Sequence, residues 1–459
     1  MRAWTAEQVA AAAGGTLVRG GAGSPKRVVI DSREVGSGDF FVGLPGERAD
    51  GGSFAAGALE AGAWGVLVGR RWSDVSAGEG AVIAVDDPVV ALGALAQAWG
   101  RELGADVIAV TGSVGKTSTK DLIAAMITPH RRIAASRANF NTEIGMPLEI
   151  LAAPFGTEVL VLELAMRGAG QIAELAAICE PDVGVITNIG PVHLEQVGSL
   201  EGVARAKAEL LEGLYDGATA VVPSDEPLLE PWLRASLTVV SFGPGGDVAY
   251  EGSSLRGGSV PDAVPSSYVI LARAERIELS LPFDQAHNLL NTLAAVAAAQ
   301  AVGVTPSGTV DVRFSGLRGE RVLLGMGATV INDCYNANPL SMRAALDDLA
   351  SHETAGRRLA VLGDMLELGP GEDEHHRDIG AYAATAGVDV LITVGARAAH
   401  MLDRYDGEGY AVADAGEAAA LAGELVGAGD VLLVKGSRGV GLEVVAEALA
   451  AGEDAPGDG

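Results

Sequence analysis

The stretch V-I-A-V-T-G-S-V-G-K-T-S, residues 107–118, decides how this chain is read. Val107 to Val110 is a short apolar run suited to a buried strand. It breaks into a glycine turn, and a helical pattern follows from Thr117 through Met126. Gly112 and Gly115 let the backbone turn tightly around Ser113 and Val114, so that N–H groups point into one anion-sized hollow. Lys116 adds a point charge, Thr117 offers a hydroxyl to Mg²⁺, and Ser118 lies in the first turn of the helix. The helix start contributes its own partial positive charge. Together these features suit a nucleoside triphosphate. The usual spacing is G-x-x-x-x-G-K-[ST]. Val110 stands where its first glycine would fall, so the loop is the shorter T-G-x-x-G-K-T.

Outward from this loop, 459 residues imply about three domains, and 48% hydrophobic residues supply large cores. The expected divisions are 1–86, 87–313 and 314–459. The first carries short strands at 28–33, 40–44, 64–68 and 82–85 among Ala-rich helices. The second alternates strand and helix around the phosphate loop. Its runs V-L-V-L-E-L-A (159–165) and V-G-V-I-T-N-I (183–189) read as buried parallel strands. A Gly/Ser/Pro patch at 243–267 reads as an excursion, and the tail from 452 as frayed. The third segment reads as a doubly wound, Rossmann-like α/β unit. A net charge of −28 and a pI near 4.5 argue against nucleic acid or an anionic membrane as partner. Two cysteines fit a reducing compartment, and no signal peptide or membrane span is visible, so a cytoplasmic enzyme is expected.

Glu163 and His193 follow strand ends in the second segment, where ligands of open α/β sheets gather. With Thr117 they could converge on a metal beside the phosphates, although Mg²⁺ prefers oxygen over imidazole. Equally, Glu163 could be a strand-end ion pair and His193 a helix-start residue. Asn139 and Asn141 alone would read as turn residues, and Lys207 as a solvated helix lysine. The run Glu372–His376 reads as a solvated helix start rather than a metal cluster.

The chain resembles the Mur ligase family, ATP-dependent amide-bond ligases of peptidoglycan synthesis. The strings that carry this are T-G-S-V-G-K-T-S, N-x-N-T-E-I-G, L-E-L-A-M-R-G, N-I-G-P-V-H-L-E, A-R-A-K-A-E-L and H-N-L-L-N-T-L-A-A. D-C-Y-N-A-N-P-L-S-M (333–342), L-G-D-M-L-E-L-G (362–369) and K-G-S-R (435–438) resemble the branch that adds D-alanyl-D-alanine to UDP-N-acetylmuramoyl-tripeptide. The D-Y-A-H-x-P and D-N-P-R strings of the tripeptide-forming branch are absent. A folylpolyglutamate synthase-like ligase and a nucleotide-binding paralogue without turnover are the competing readings.

The resemblance implies a UDP-binding first domain, a phosphate-loop ATPase in the middle and a dipeptide-binding third domain. It implies an acyl phosphate formed from ATP and then attacked by the dipeptide amine. Lys116 and the loop amides would hold phosphates. Thr117 and Glu163 would hold one Mg²⁺, and His193, with Lys207 as a carbamate, a second. Asn288 and Asn291 would read adenine, Asp333 would lie near the ribose, and Arg321 would reach the phosphates. Ser32 and Arg33 match the family's D-S-R string beside the uridine diphosphate. Gly52 stands where the family often has histidine. Asn141, Tyr335, Asn336, Asn338, Lys435 and Arg438 would line the substrate site, with Asp364, Glu367 and Ser437 as further candidates for the dipeptide. The implied enzyme is a monomer.

Overall fold

The computed structural model describes residues 4–137, 139–252 and 266–451. The tail from 452 and most of the 243–267 patch lie outside them. Three sheets lie in chain order. The first has five strands, Thr16–Arg19, Val28–Val29, Phe40–Val42, Gly65–Gly69 and Ala81–Val85. All pair in parallel except Thr16–Arg19, which runs antiparallel to Ala81–Val85. The expected strand 28–33 stops early. Asp31 accepts the Arg33 N–H and turns Ser32–Glu34 into a 3₁₀ turn, so Ser32 and Arg33 leave the sheet at its carboxyl edge.

The second sheet has ten strands. The phosphate-loop strand Asp106–Thr111 lies between Val159–Glu163 and Val183–Ile186, parallel to both. Asp106, Val107 and Ile108 begin a run with no exposed residue, which is why it reads as near-continuous apolar sequence. The sheet is not parallel throughout. Ser266–Ala272 and Glu275–Leu281 form an antiparallel hairpin on one side. Their alternating side chains, one face buried and one wet, are the pattern an antiparallel extension needs. The third sheet has six strands, five of them parallel, with Glu320–Leu323 antiparallel at the edge.

The first two sheets share one hydrophobic core. It runs from Trp4 and Phe40 through Leu92, Leu95 and Trp99 of the helix Pro88–Leu103 to Met146 and Leu160. Trp4 meets Trp99 edge-on at 5.7 Å. The third sheet is packed by separate clusters built around Leu346 and Leu432. Between the two bodies runs a linker. Ser315 is held by Asp121 of the phosphate-loop helix through its N–H (2.9 Å) and hydroxyl (3.0 Å). Beyond it, Leu317 and Gly319 have φ of +63° and +68°.

Candidate active site

The phosphate loop is made by two close approaches. Gly112 (φ +151°) lies so near Thr187 that a Cβ would fall 1.8 Å from its hydroxyl. A Cβ on Gly115 (φ +81°) would fall 2.5 Å from Asn291 Oδ1. Only glycine fits both conformation and space. The turn after the strand Val183–Ile186 braces the loop from the other side. Asn188 accepts the Val114 N–H (2.9 Å) and donates to the Val114 carbonyl (3.0 Å), and Ser113 exchanges hydrogen bonds with Gly190. Thr187 and Asn188 thus act here, although the motif N-I-G-P-V-H-L-E draws attention to His193. The helix Lys116–Ile127 starts on Gly115 with no side-chain cap, leaving its first-turn N–H groups open to an anion.

Glu163, almost fully buried, ends its strand inside this corner. Thr117 Oγ1 donates to Glu163 Oε2 at 2.7 Å, and Asn141 Nδ2 donates to Oε1 at 2.9 Å. Thr117, Asn141 and Glu163 therefore meet, and among the described residues Glu163 is held by a hydroxyl and an amide rather than by a cation. Lys116 Nζ donates to the Gly112 carbonyl at 2.8 Å. Burial depresses its pKa; the Glu163 charge opposes this and Arg318 reinforces it.

Lys207 overturns its solvated reading. It lies on the inner face of the helix Leu200–Glu212 at 2% exposure, and no carboxylate pairs with it among the described residues. Burial, then the Lys116 charge, drives its pKa well below the ordinary lysine value. A depressed pKa favours the neutral amine, the form that takes up CO₂. His193 opens a short turn at φ +53°. Its Nδ1 lies 2.5 Å from Glu367 Oε2 of the third domain. Burial depresses the imidazole pKa, the Glu367 charge and hydrogen bond raise it, and the Lys116 charge lowers it. Among the described residues no three His, Cys, Asp or Glu side chains form a ready metal cage.

Asn288 and Asn291 lie buried one turn apart on the helix Ala286–Ala301, and Asn291 packs against the loop at Gly115. Across from them, Arg321 is tied to Asp348 at 3.0 Å. The Arg318 charge reaches Lys116; Arg318 stacks over Tyr335 at 4.0 Å, and among the described residues its buried Nε meets no acceptor. The string R-G-E-R holds both arginines, and nothing local to it distinguishes their roles. Arg438 approaches the same ring at 5.9 Å. Lys435 is spent within the protein, bonded to Asp333 Oδ2 (2.6 Å) and the Asn336 carbonyl (2.9 Å). Asn338 caps the helix Pro339–Ser351, and Asn336 closes a local turn onto the Ala337 N–H. Ser437 holds the Leu366 N–H at 3.0 Å. In the Glu372–His376 run, His376 is fully buried rather than solvated.

At the carboxyl edge of the first sheet, Arg33 is 87% exposed and doubly bonded to Asp31. That pairing lowers the Asp31 pKa to about 2. Arg71 pairs with Asp50 nearby. Gly52 has a local reason: a Cβ there would fall 2.2 Å from the Trp72 ring.

Residues 26–100 match the Mur ligase family catalytic domain, 110–299 the Mur ligase middle domain, and 317–438 the Mur ligase glutamate ligase domain. Among curated relatives, the UDP-N-acetylmuramoyl-tripeptide–D-alanyl-D-alanine ligase of Bacillus subtilis is 36% identical over 92% of both chains. That of Escherichia coli is 32% identical over 92% of this chain and 93% of its own. A crystal structure of MurF from Acinetobacter baumannii superposes with a TM-score of 0.87 at 29% identity, covering 98% of this chain and 99% of that one. MurF ligase from Thermotoga maritima in complex with ADP gives 0.83 at 29% identity, over 93% and 97%. With a phosphate loop braced by the Gly190 turn, an acid and hydroxyl beside it, and these matches across the chain, the protein belongs to the Mur ligase family.

Proposed function

We propose that this chain joins D-alanyl-D-alanine to UDP-N-acetylmuramoyl-tripeptide, using ATP and an acyl phosphate. The observation that carries it is the Thr117–Glu163–Asn141 cluster beside an uncapped helix start. The loop amides and Lys116 hold the β- and γ-phosphates, and Arg318 completes the charge from the third domain. Thr117 and Glu163, and His193 with carbamylated Lys207, would hold Mg²⁺, which would supply charge neutralisation at the phosphates. The γ-phosphoryl group passes to the tripeptide carboxylate, releasing ADP. The dipeptide amine attacks the acyl carbon, phosphate leaves, and the amine loses its proton. Ser32 and Arg33 bind the UDP end, and Tyr335 with Arg438 lies toward the dipeptide. The division at 86/87 and 313/314 follows these three tasks, with a monomer acting in the cytoplasm.

Phosphate release measured with UDP-MurNAc-tripeptide, with and without D-Ala-D-Ala, tests this. Release that depends on both substrates is expected. Turnover with a single amino acid as acceptor, and none with the dipeptide, would sink it.

A further inference from the structure

One polar contact bridges the two bodies at the site itself. His193 belongs to the turn that braces the phosphate loop, and Glu367 to the third domain, 174 residues later. Both stand in left-handed backbone, φ +53° and +64°. Such residues cost about 1–2 kcal/mol each and persist where the surroundings hold them. The Glu367 loop is held from several sides. Met365 N–H donates to His376 Nε2 (2.9 Å), Leu366 N–H to Ser437 Oγ (3.0 Å), and Asp364 Oδ1 accepts the Ala398 N–H (2.7 Å). His376 is itself fixed, its Nδ1 bonded to the Glu372 carbonyl at 2.6 Å. On the facing side, Gly369 lies so close to Glu195 that a Cβ there would be 3.3 Å from its N atom. The loop thus delivers one carboxylate to one ring nitrogen.

We propose that Glu367 is a positioning residue: it accepts Nδ1–H of His193, fixing the tautomer in which Nε2 keeps its lone pair and faces a cation. This rests on His193 being a metal-side residue. A ligating imidazole that donates its other N–H to a carboxylate is oriented and made more basic, and losing that partner typically costs 10–100-fold in metal affinity. Here the partner arrives with the third domain, so docking of that domain completes the cation site.

The test uses ¹⁵N-labelled, metal-free full-length enzyme. Long-range ¹H–¹⁵N spectra report the His193 tautomer, assigned against His193→Gln. Wild type is expected to show Nδ1–H. Glu367→Ala is expected to shift toward Nε2–H and to raise the Mg²⁺ concentration for half-maximal phosphate release by roughly 10-fold or more. Glu367→Gln, whose amide oxygen still accepts, should keep the tautomer and most of the Mg²⁺ response. An Nε2–H tautomer in wild type overturns the proposal. So does a Glu367→Ala variant with unchanged tautomer or unchanged Mg²⁺ requirement. The metal reading fails separately: His193→Ala with wild-type activity and Mg²⁺ response removes it whatever the tautomer.

Discussion

At Lys207 an amine sits at 2% exposure without a carboxylate against it among the described residues. A lone buried ammonium is costly, so the group sheds its proton instead. The sign follows. The unfolded chain binds that proton up to about pH 10.4, while the folded chain does so only below its depressed pKa. The unmodified protein therefore gains stability as pH rises between the two values. Lys207→Met should fold, gain roughly 1–3 kcal/mol in CO₂-free buffer near neutral pH, and lose turnover. Thermal unfolding and phosphate release measure both. Lys207→Ala should recover part of its activity with added acetate or formate, which replace the carbamate's anionic oxygen. Full activity without additives would remove the carbamate. Lys116 is a different case: its ammonium serves the loop, and Lys116→Ala should keep the fold while abolishing ligation at saturating ATP.

The phosphate loop as an element depends on glycine for two reasons at once. At Gly115, a Cβ meets Asn291 at 2.5 Å and a positive φ disfavours any other residue. Gly115→Ala therefore displaces Asn291 and strains the turn by about 1–2 kcal/mol. Calorimetric titration with a non-hydrolysable ATP analogue should show affinity reduced about ten-fold or more, with far-ultraviolet circular dichroism unchanged. Unaltered affinity would mean that the Gly115–Asn291 contact plays no part in nucleotide binding.

Across the whole molecule, a shared core makes the first two sheets one body, while the third is packed by core clusters of its own. Leu340 seats over Gly190, whose Cβ would fall 2.0 Å from Leu340 Cδ1, and Glu367 meets His193. Ser315 pins the linker and residues 316–319 follow it, so rotation should pivot just past Ser315. Hinge motion is the ordinary expectation between domains of one chain that keep separate cores. Small-angle scattering should show a smaller radius of gyration when an ATP analogue and UDP-tripeptide are both bound. Gly190→Val should block that compaction and lower kcat, and adding Leu340→Ala should restore both. A radius that never changes in the active wild type would exclude closure as a required motion.

The phosphate loop, the acid at the end of 159–163 and the alternation of strand and helix were legible in the sequence, because each is a local pattern. A glycine turn, a strand end and a helix start need only neighbouring residues to declare themselves. Lys207 was legible only through resemblance, since its own helix does not reveal what covers it. Other features depended on distant segments. Asn291 beneath Gly115, the Arg318 charge acting on Lys116, Lys435 bonded to Asp333, and Glu367 against His193 are all such contacts. Whether an arginine's charge reaches a loop lysine, and whether a lysine is spent on a neighbour or left for a ligand, is set by packing between elements far apart in the chain. Tertiary structure alone decided those, and it also merged the first two sheets into a single core through the helix Pro88–Leu103.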